Sequence, residues 1–241
     1  RRSRTEQWAQ DIIHDVRDGA PAPLGSPVSA IAFHRNQEGD LLETNVAAVE
    51  LVNLLRPTVA VGRYVAFAAH ALIAQPALEE EVATGDDAAL ERFAQEVRRF
   101  YPFFPSVAGQ SLAPFTWCGA TFPEDTWMLL DLYGTAHDSR TWQHPGQFRP
   151  DRFRGVEHPY GLVVQGGGHP ATSHRCPGEG ATVEIIKRTA RLLTTVMAWH
   201  APPQDLSIDL TQMPARPASG VVLTGIRMVR EMPSALGESA A

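Results

Sequence analysis

Gln165-Gly-Gly-Gly-His-Pro-Ala-Thr-Ser-His-Arg-Cys176-Pro-Gly-Glu179 is a glycine-rich loop that delivers one thiol to the start of an amphipathic helix. Downstream, Val183, Ile186, Leu192, Leu193 and Val196 recur at helical spacing between Gly180 and His200, and Pro177 suits a first helical position, where its missing N–H costs nothing. A thiol mounted there lies beside the free N–H groups of a helix start, which favour the thiolate, so Cys176 is a candidate soft metal ligand. Taken alone, a single cysteine is more often a small buried structural residue. The rest of the chain has to decide between the two.

Two upstream segments bear on that choice. Glu96-Val-Arg-Arg99 is followed by Phe100-Tyr-Pro-Phe-Phe-Pro105; Glu and Arg three apart share a helix face and ordinarily make a weak surface pair. His137-Asp-Ser-Arg-Thr-Trp-Gln-His-Pro-Gly-Gln-Phe-Arg-Pro-Asp-Arg152-Phe153 reads as an extended, well-packed meander, from which Arg152 could complete an ion-pair network with Glu96 and Arg99.

A third segment, Leu41 to Ala74, is apolar over a length that would suit a membrane span, but Glu43, Glu50, Arg56, Arg63 and His70 interrupt it and Pro57 sits in its middle. A buried helix of a soluble protein fits better, with a kink or local opening where Pro57 frees the carbonyl of Asn53. Arg56 has Val52, Asn53, Val59 and Ala60 as its helical neighbours, none acidic. A guanidinium in so apolar a stretch calls for an anionic partner, either an acid from another segment or a ligand.

In order, the Glu-x-x-Arg helix, the aromatic meander with Phe148-Arg-Pro-Asp-Arg-Phe153 and the loop ending in Cys176-Pro-Gly-Glu179 resemble the C-terminal half of a cytochrome P450 from about Leu41 to Met228. The resemblance implies a mainly α fold with small β-sheets, Cys176 as the axial thiolate ligand of haem b, and a structural network of Glu96, Arg99 and Arg152. The cysteine loop departs from the usual pattern: His169, Thr172 and His174 stand where Phe, Gly and Arg are usual. Candidate cofactor contacts are therefore His174, Arg175, Gln165 and Gly166, with His174 equally readable as a loop histidine bonded to backbone.

Ordinary members carry an acid–alcohol pair in the central helix; here Arg56-Pro57 stands in its place. With Gln95-Glu-Val-Arg-Arg99, Leu130-Asp-Leu-Tyr-Gly134 and Pro202-Pro-Gln-Asp-Leu-Ser-Ile208, this chain is similar to the bacterial fatty-acid peroxygenase branch. What that implies is a reaction with hydrogen peroxide on long-chain fatty acids, needing no redox partner, with Arg56 and Pro57 as the catalytic pair. Arg56 would hold the substrate carboxylate, which takes over the acid–base work and brings Cα and Cβ nearest the oxidant. Phe103 and Val107, with Phe104 and Ser106, would line the substrate cavity, although core packing is as good a reading for each. Thr58 is best read as a helix hydroxyl bonded to its own backbone, and Arg63 as either a second anionic contact or a solvated charge. Products are α- or β-hydroxy acids; terminal alkenes by decarboxylation, an oxygen-dependent monooxygenase, and an inactive or haem-free fragment are the alternatives.

Composition agrees with a cytoplasmic enzyme. A chain of 241 residues with 44% hydrophobic side chains can bury a large core, and a net charge of −6 offers no basic footprint for nucleic acid. No signal peptide or stable membrane insertion is expected. Cys118, in a strand-like stretch, is expected to be buried, and two cysteines in such different contexts indicate neither a disulfide framework nor a zinc site. Residues 1–241 read as part of one domain, with a linker-like segment at 19–28 and a flexible tail at 231–241. Members of this family are longer, so an N-terminal half of the same fold is expected as a partner.

Helices are expected near Glu6–Arg17, Ala30–Arg35, Leu41–Ala74, Pro76–Ala83, Asp87–Tyr101 and Gly178–His200. Strands are expected near Phe115–Cys118, Met128–Tyr133 and Val221–Met228, the last paired with Leu206–Leu210 through Pro214–Gly220.

Overall fold

The computed structural model describes residues 2–155 and 161–230; the tail expected at 231–241 lies outside them. The chain falls into two compact units, Arg1–Gly62 and Arg63–Ala241. The first holds α1 (Arg2–Arg17), α2 (Pro27–Ala32) and α3 (Thr44–Ala60). Its core is small: Ala9, Ile13 and Val16 of α1 against Ala32 of α2 and Ala47, Ala48 and Leu51 of α3. Arg17 fastens the three together, donating from Nε to the Ala32 carbonyl (2.8 Å), from Nη2 to the Leu42 carbonyl (2.7 Å) and from Nη1 to Thr44 Oγ1 (3.2 Å). Residues 19–26 of the linker-like segment form the α1–α2 connection and its last two lie in α2, which starts earlier than the periodicity suggests because Ser26 caps it, accepting from the Ser29 N–H, with Pro27 at its first position.

The second unit runs α4 (Gly62–Ala74), α5 (Ala77–Thr84), α6 (Asp87–Phe100), β1 (Ser106–Gln110), β2 (Phe115–Trp117), β3 (Ala120–Phe122), β4 (Trp127–Asp131), α7 (Leu132–Ala136), a 3-10 turn Pro150–Phe153, α8 (Glu179–Arg191), a π turn Leu192–Val196, β5 (Met197–His200) and β6 (Thr224–Met228). Its core packs Tyr64, Phe67 and Leu72 of α4 on Leu90, Phe93 and Val97 of α6 and Val183, Ile186 and Ala190 of α8. Phe67 stacks on Tyr101 at 4.8 Å between ring centroids, and Tyr64 on Phe103 at 4.7 Å. The three sheets are antiparallel pairs: β1 with β4, β2 with β3, and β5 with β6.

Several expectations need correction. The long helix passes through Pro57 and is interrupted one turn later, at Val61, whose N–H still bonds the Pro57 carbonyl at 3.0 Å. Nor is it buried throughout, for residues 53–59 are exposed. The helix after Cys176 ends at Arg191: Thr194 and Thr195 turn their hydroxyls back onto the Ala190 and Arg191 carbonyls (2.9 and 2.7 Å), Trp199 Nε1 donates to the Leu193 carbonyl (2.8 Å), and Met197–His200 leaves as a strand. That strand, not Leu206–Leu210, is the partner of Thr224–Met228. Ile208 bridges Pro217 instead, and the Gln204 side chain holds Val222 through the Val222 N–H (2.8 Å) and carbonyl (3.0 Å). Cys118 is exposed, because Cys118 and Gly119 (φ +49° and +81°) make the tight turn between β2 and β3.

Candidate functional site

Helix α6 carries the buried charges. Asp86 caps it by accepting from the Ala89 N–H at 2.8 Å, and its apolar face is committed to the core. Glu96 and Arg99, both 0% exposed, form a bidentate pair: Arg99 Nε to Glu96 Oε2 at 2.7 Å and Nη2 to Oε1 at 2.8 Å. The meander meets them there. Arg152 Nε donates to Glu96 Oε1 at 3.1 Å and the Arg149 N–H to the same oxygen at 2.7 Å, while Arg99 Nη1 donates to the Ala136 and Pro145 carbonyls at 2.8 and 3.1 Å. The Trp142 ring lies 5.4 Å from the Arg99 guanidinium and 6.0 Å from that of Arg152. Every face of the Glu96–Arg99 pair is thus occupied by protein.

The Cys176 loop is closed on itself. Gln165 accepts the Cys176 N–H on its backbone oxygen at 2.8 Å. Gly166 (φ +89°) sits where a Cβ would lie 2.0 Å from the His174 carbonyl oxygen, so only glycine lets the two arms meet. Pro177 and Gly178 form a turn and α8 begins at Glu179, two residues later than Pro177 suggested. Burial alone would raise the Glu179 carboxyl, but Arg175 (Nε to Oε2, 2.6 Å) and Arg98 together hold it below the usual carboxylate range. Gln165 Nε2 donates to Thr182 Oγ1 at 3.3 Å. His174 is exposed, and Cys176 is half-buried and free.

Sequence reasoning passed over two neighbours. Tyr64 of α4 is 1% exposed, and its hydroxyl makes no hydrogen bond among the described residues; burial pushes its pKa up, with Arg98 opposing and Cys176 and Glu179 adding to the rise. Arg98 is the other, a buried arginine beside the expected one.

In the first unit Arg56 is exposed on the 53–59 face of α3, between Leu55 and Val59. Its Nη1 donates to Asn53 Oδ1 at 3.4 Å, and no carboxylate pairs with it among the described residues. Thr58 Oγ1 bonds the Leu54 carbonyl at 2.9 Å, and in the second unit Arg63 Nη1 reaches the Ala215 carbonyl at 3.4 Å. Phe103 packs onto the second unit's core, whereas Val107, on β1 opposite Leu130, is exposed with Leu129 and Leu130.

Among the described residues no group of three or more His, Cys, Asp or Glu side chains could hold a bare metal ion. One free, half-buried thiol instead suits a group that brings its own equatorial ligands and needs a single protein donor, as a porphyrin does. The residues present therefore fit an axial haem ligand at Cys176.

A family model described as Cytochrome P450 matches residues 89–185. Among solved structures, cytochrome P450SP alpha (CYP152B1) in complex with (R)-ibuprophen is 46% identical with a TM-score of 0.86, over 94% of this chain and 56% of that one. Cytochrome P450EX alpha (CYP152N1) with myristic acid is 41% identical with a TM-score of 0.86, over 94% and 56%. A variant of cytochrome P450 OleT in complex with arachidonic acid is 35% identical with a TM-score of 0.86, over 96% and 55%. Vinorine hydroxylase of Rauvolfia serpentina is 30% identical over 158 residues, 62% of this chain and 32% of that protein. The chain thus spans little more than half the length of the solved structures and about a third of that hydroxylase. The motif order, the mainly α fold with small sheets and these likenesses agree: the chain belongs to the cytochrome P450 family, beside the CYP152 proteins.

Proposed function

We propose that this chain is part of a haem-thiolate peroxygenase that uses hydrogen peroxide to hydroxylate long-chain fatty acids at the α or β carbon. The observation that carries the reading is Arg56, an exposed guanidinium on an apolar turn with no carboxylate partner among the described residues. The buried arginines Arg98 and Arg99 have their nitrogens engaged by protein oxygens; Arg56, with one long bond to Asn53, keeps most of its donors for an anion. A fatty acid supplies both a carboxylate for the guanidinium and a chain for the apolar surface around it, and the CYP152N1 structure holds myristic acid.

When bound, haem b supplies the iron at which peroxide is activated, with the Cys176 thiolate donating electron density. The chain's own residues do the rest. Cys176 is the protein ligand, held by the Gln165 backbone. Arg56 clamps the substrate carboxylate through its fork of donors and so fixes the acid's Cα and Cβ. The turn from Asn53 to Ala60 contains no Asp or Glu. The clamped carboxylate is therefore the group that takes the proton from hydrogen peroxide, which removes the need for an acid–alcohol pair. Pro57 contributes by leaving the Asn53 carbonyl without its helical donor.

The same reading includes a further segment of the fold as partner and no redox partner, because peroxide brings both oxygen and oxidising equivalents. It also assigns a cytoplasmic location. Taken as one run, Thr44–Ala74 has the length and apolarity of a membrane-crossing helix, but Glu50, Arg56 and Arg63 within it and its interruption at Val61 favour a water-soluble fold.

The test is turnover of myristic acid by the haem-loaded protein with hydrogen peroxide, with products separated by mass spectrometry. Hydroxy acids support the reading, and a terminal alkene moves it to decarboxylation. Arg56→Ala should abolish turnover, and a short carboxylic acid added to the wild type should restore oxidation of a substrate that lacks an acid. Full turnover by Arg56→Ala overturns the proposal.

A further inference from the structure

A buried guanidinium is costly to desolvate, and an apolar side chain would fill the same space at lower cost, so its partners indicate its purpose. Arg98 is 1% exposed. Its Nε donates to Gln165 Oε1 at 2.7 Å, its Nη1 to Gln95 Oε1 at 2.5 Å and its Nη2 to Glu179 Oε1 at 2.5 Å. Gln95 belongs to the same helix, but the other two stand at opposite ends of the segment that carries Cys176. They are also the residues whose backbones hold the cysteine: the Cys176 N–H goes to the Gln165 carbonyl at 2.8 Å, and the Glu179 N–H to the Cys176 carbonyl at 3.3 Å. A ring results, from Arg98 through Gln165 to Cys176, on to Glu179 and back to Arg98.

We infer that Arg98 is a positioning residue for Cys176, setting the spacing between the two backbone anchors of the thiol from a rigid helix in the core. The division of labour with its neighbour is complete. Arg99 takes its acceptors from Glu96, the Ala136 carbonyl of α7 and the meander, and Arg98 takes its own from the cysteine loop and Gln95. Glu179 is shared, its second oxygen accepting from Arg175 Nε at 2.6 Å, so the loop residue preceding the cysteine is drawn into the same ring. An arginine suits this task because its planar fork fixes directions as well as charge, which a lysine ammonium does not.

The consequence for iron ligation rests on the haem-thiolate reading, whereas the placement of the loop can be tested without haem. In the haem-free chain, R98Q should speed amide exchange at Cys176 by about tenfold or more, the effect of losing charge-assisted hydrogen bonds. Amides in the middle of α8, such as Ile186 and Ala190, should stay within about a factor of two of wild type. R98K should recover part of the protection, since an ammonium satisfies an acceptor without reproducing the fork. In the reduced, haem-loaded protein under carbon monoxide, R98Q should move Soret amplitude from the red-shifted thiolate band to an unshifted one. Wild-type protection of Cys176 in R98Q, or a loss spread evenly over α6 and α8, overturns the inference. If the wild type itself gives no red-shifted band, the haem-thiolate reading is what fails, and the exchange data alone decide the role of Arg98. Should R98Q not fold, E179Q removes the charge at the other end of the ring: a smaller but localised loss of Cys176 protection sustains the inference, and unchanged exchange overturns it.

Discussion

The turn of α3 around Arg56 and the end of α6 around Arg98 and Arg99 both set arginine among apolar neighbours, and they treat it in opposite ways. In α6 the guanidiniums are buried and the protein supplies their acceptors: carboxylate, amide and backbone oxygens at 2.5 to 3.3 Å. In α3 the guanidinium is exposed and its hydrogen bond to Asn53 is long, at 3.4 Å. A cation whose donors are all taken organises the chain, whereas one with donors to spare is placed to meet something else. The difference cannot be read from residue type and is read directly from partners.

The comparison breaks first if the buried pair proves dispensable. Arg99→Ala leaves Glu96 charged, buried and short of its bidentate partner, and should lower stability by about 3–5 kcal/mol in urea unfolding; a loss below about 1 kcal/mol would mean the α6 cluster is ornamental. Next comes Gly166→Ala, which forces a Cβ toward the His174 carbonyl at a positive φ. A cost of about 2–3 kcal/mol in thermal unfolding is expected, with faster exchange across the Cys176 loop.

Smaller effects extend the same rule to histidine. Burial is the main cause that lowers the pKa of both His70 and His137 from the ordinary value. His70 is engaged by the Tyr101 hydroxyl at 2.8 Å and the Leu206 carbonyl at 3.2 Å, and His137 by the Tyr133 carbonyl at 3.0 Å with Arg99, Arg152 and Asp131 nearby. Both are held neutral in the folded state, so the unfolded chain binds more protons as pH falls. Stability should be full above about pH 6.5, fall progressively below it, and level off once the folded histidines take up protons themselves. Denaturant midpoints measured between about pH 7.5 and 5 check this, and His70→Phe should flatten the curve. The smallest effect on stability is expected at the other end of the comparison. Arg56→Ala should leave the unfolding free energy within about 0.5 kcal/mol of wild type, and a larger loss would show that Arg56 has a structural partner after all.

Legibility in the sequence followed the range of the interactions. Helix α6, and α1 from Glu6 onward, are legible because apolar spacing acts within a turn or two; α1 itself starts earlier, at Arg2. Strand β1 is not legible, because Ser106–Gln110 is defined by pairing with Trp127–Asp131 across an intervening hairpin. Strand β5 is indistinguishable from helix in the sequence because Met197–His200 continues an apolar pattern, and only its pairing with β6 and the back-bonded threonines reveal the exit. Cys118 was misplaced because two positive-φ residues turn it outward, and of the pair only Gly119 announces such a turn.

What the sequence determined by itself was the order of its chemical parts: a Glu-x-x-Arg helix, an aromatic meander and a glycine-rich loop carrying one thiol, with an arginine where an acid would be usual. These are local patterns, and each is written in consecutive residues. What the tertiary structure decided was what the second arginine, Arg98, serves. Arg98 and Arg99 are neighbours in sequence, yet successive residues on a helix point about 100° apart. One side chain therefore enters the cysteine loop and the other the meander; the three-residue spacing from Glu96 marks Arg99 for the meander network, but nothing in Glu96-Val-Arg-Arg99 says that Arg98 meets the cysteine loop.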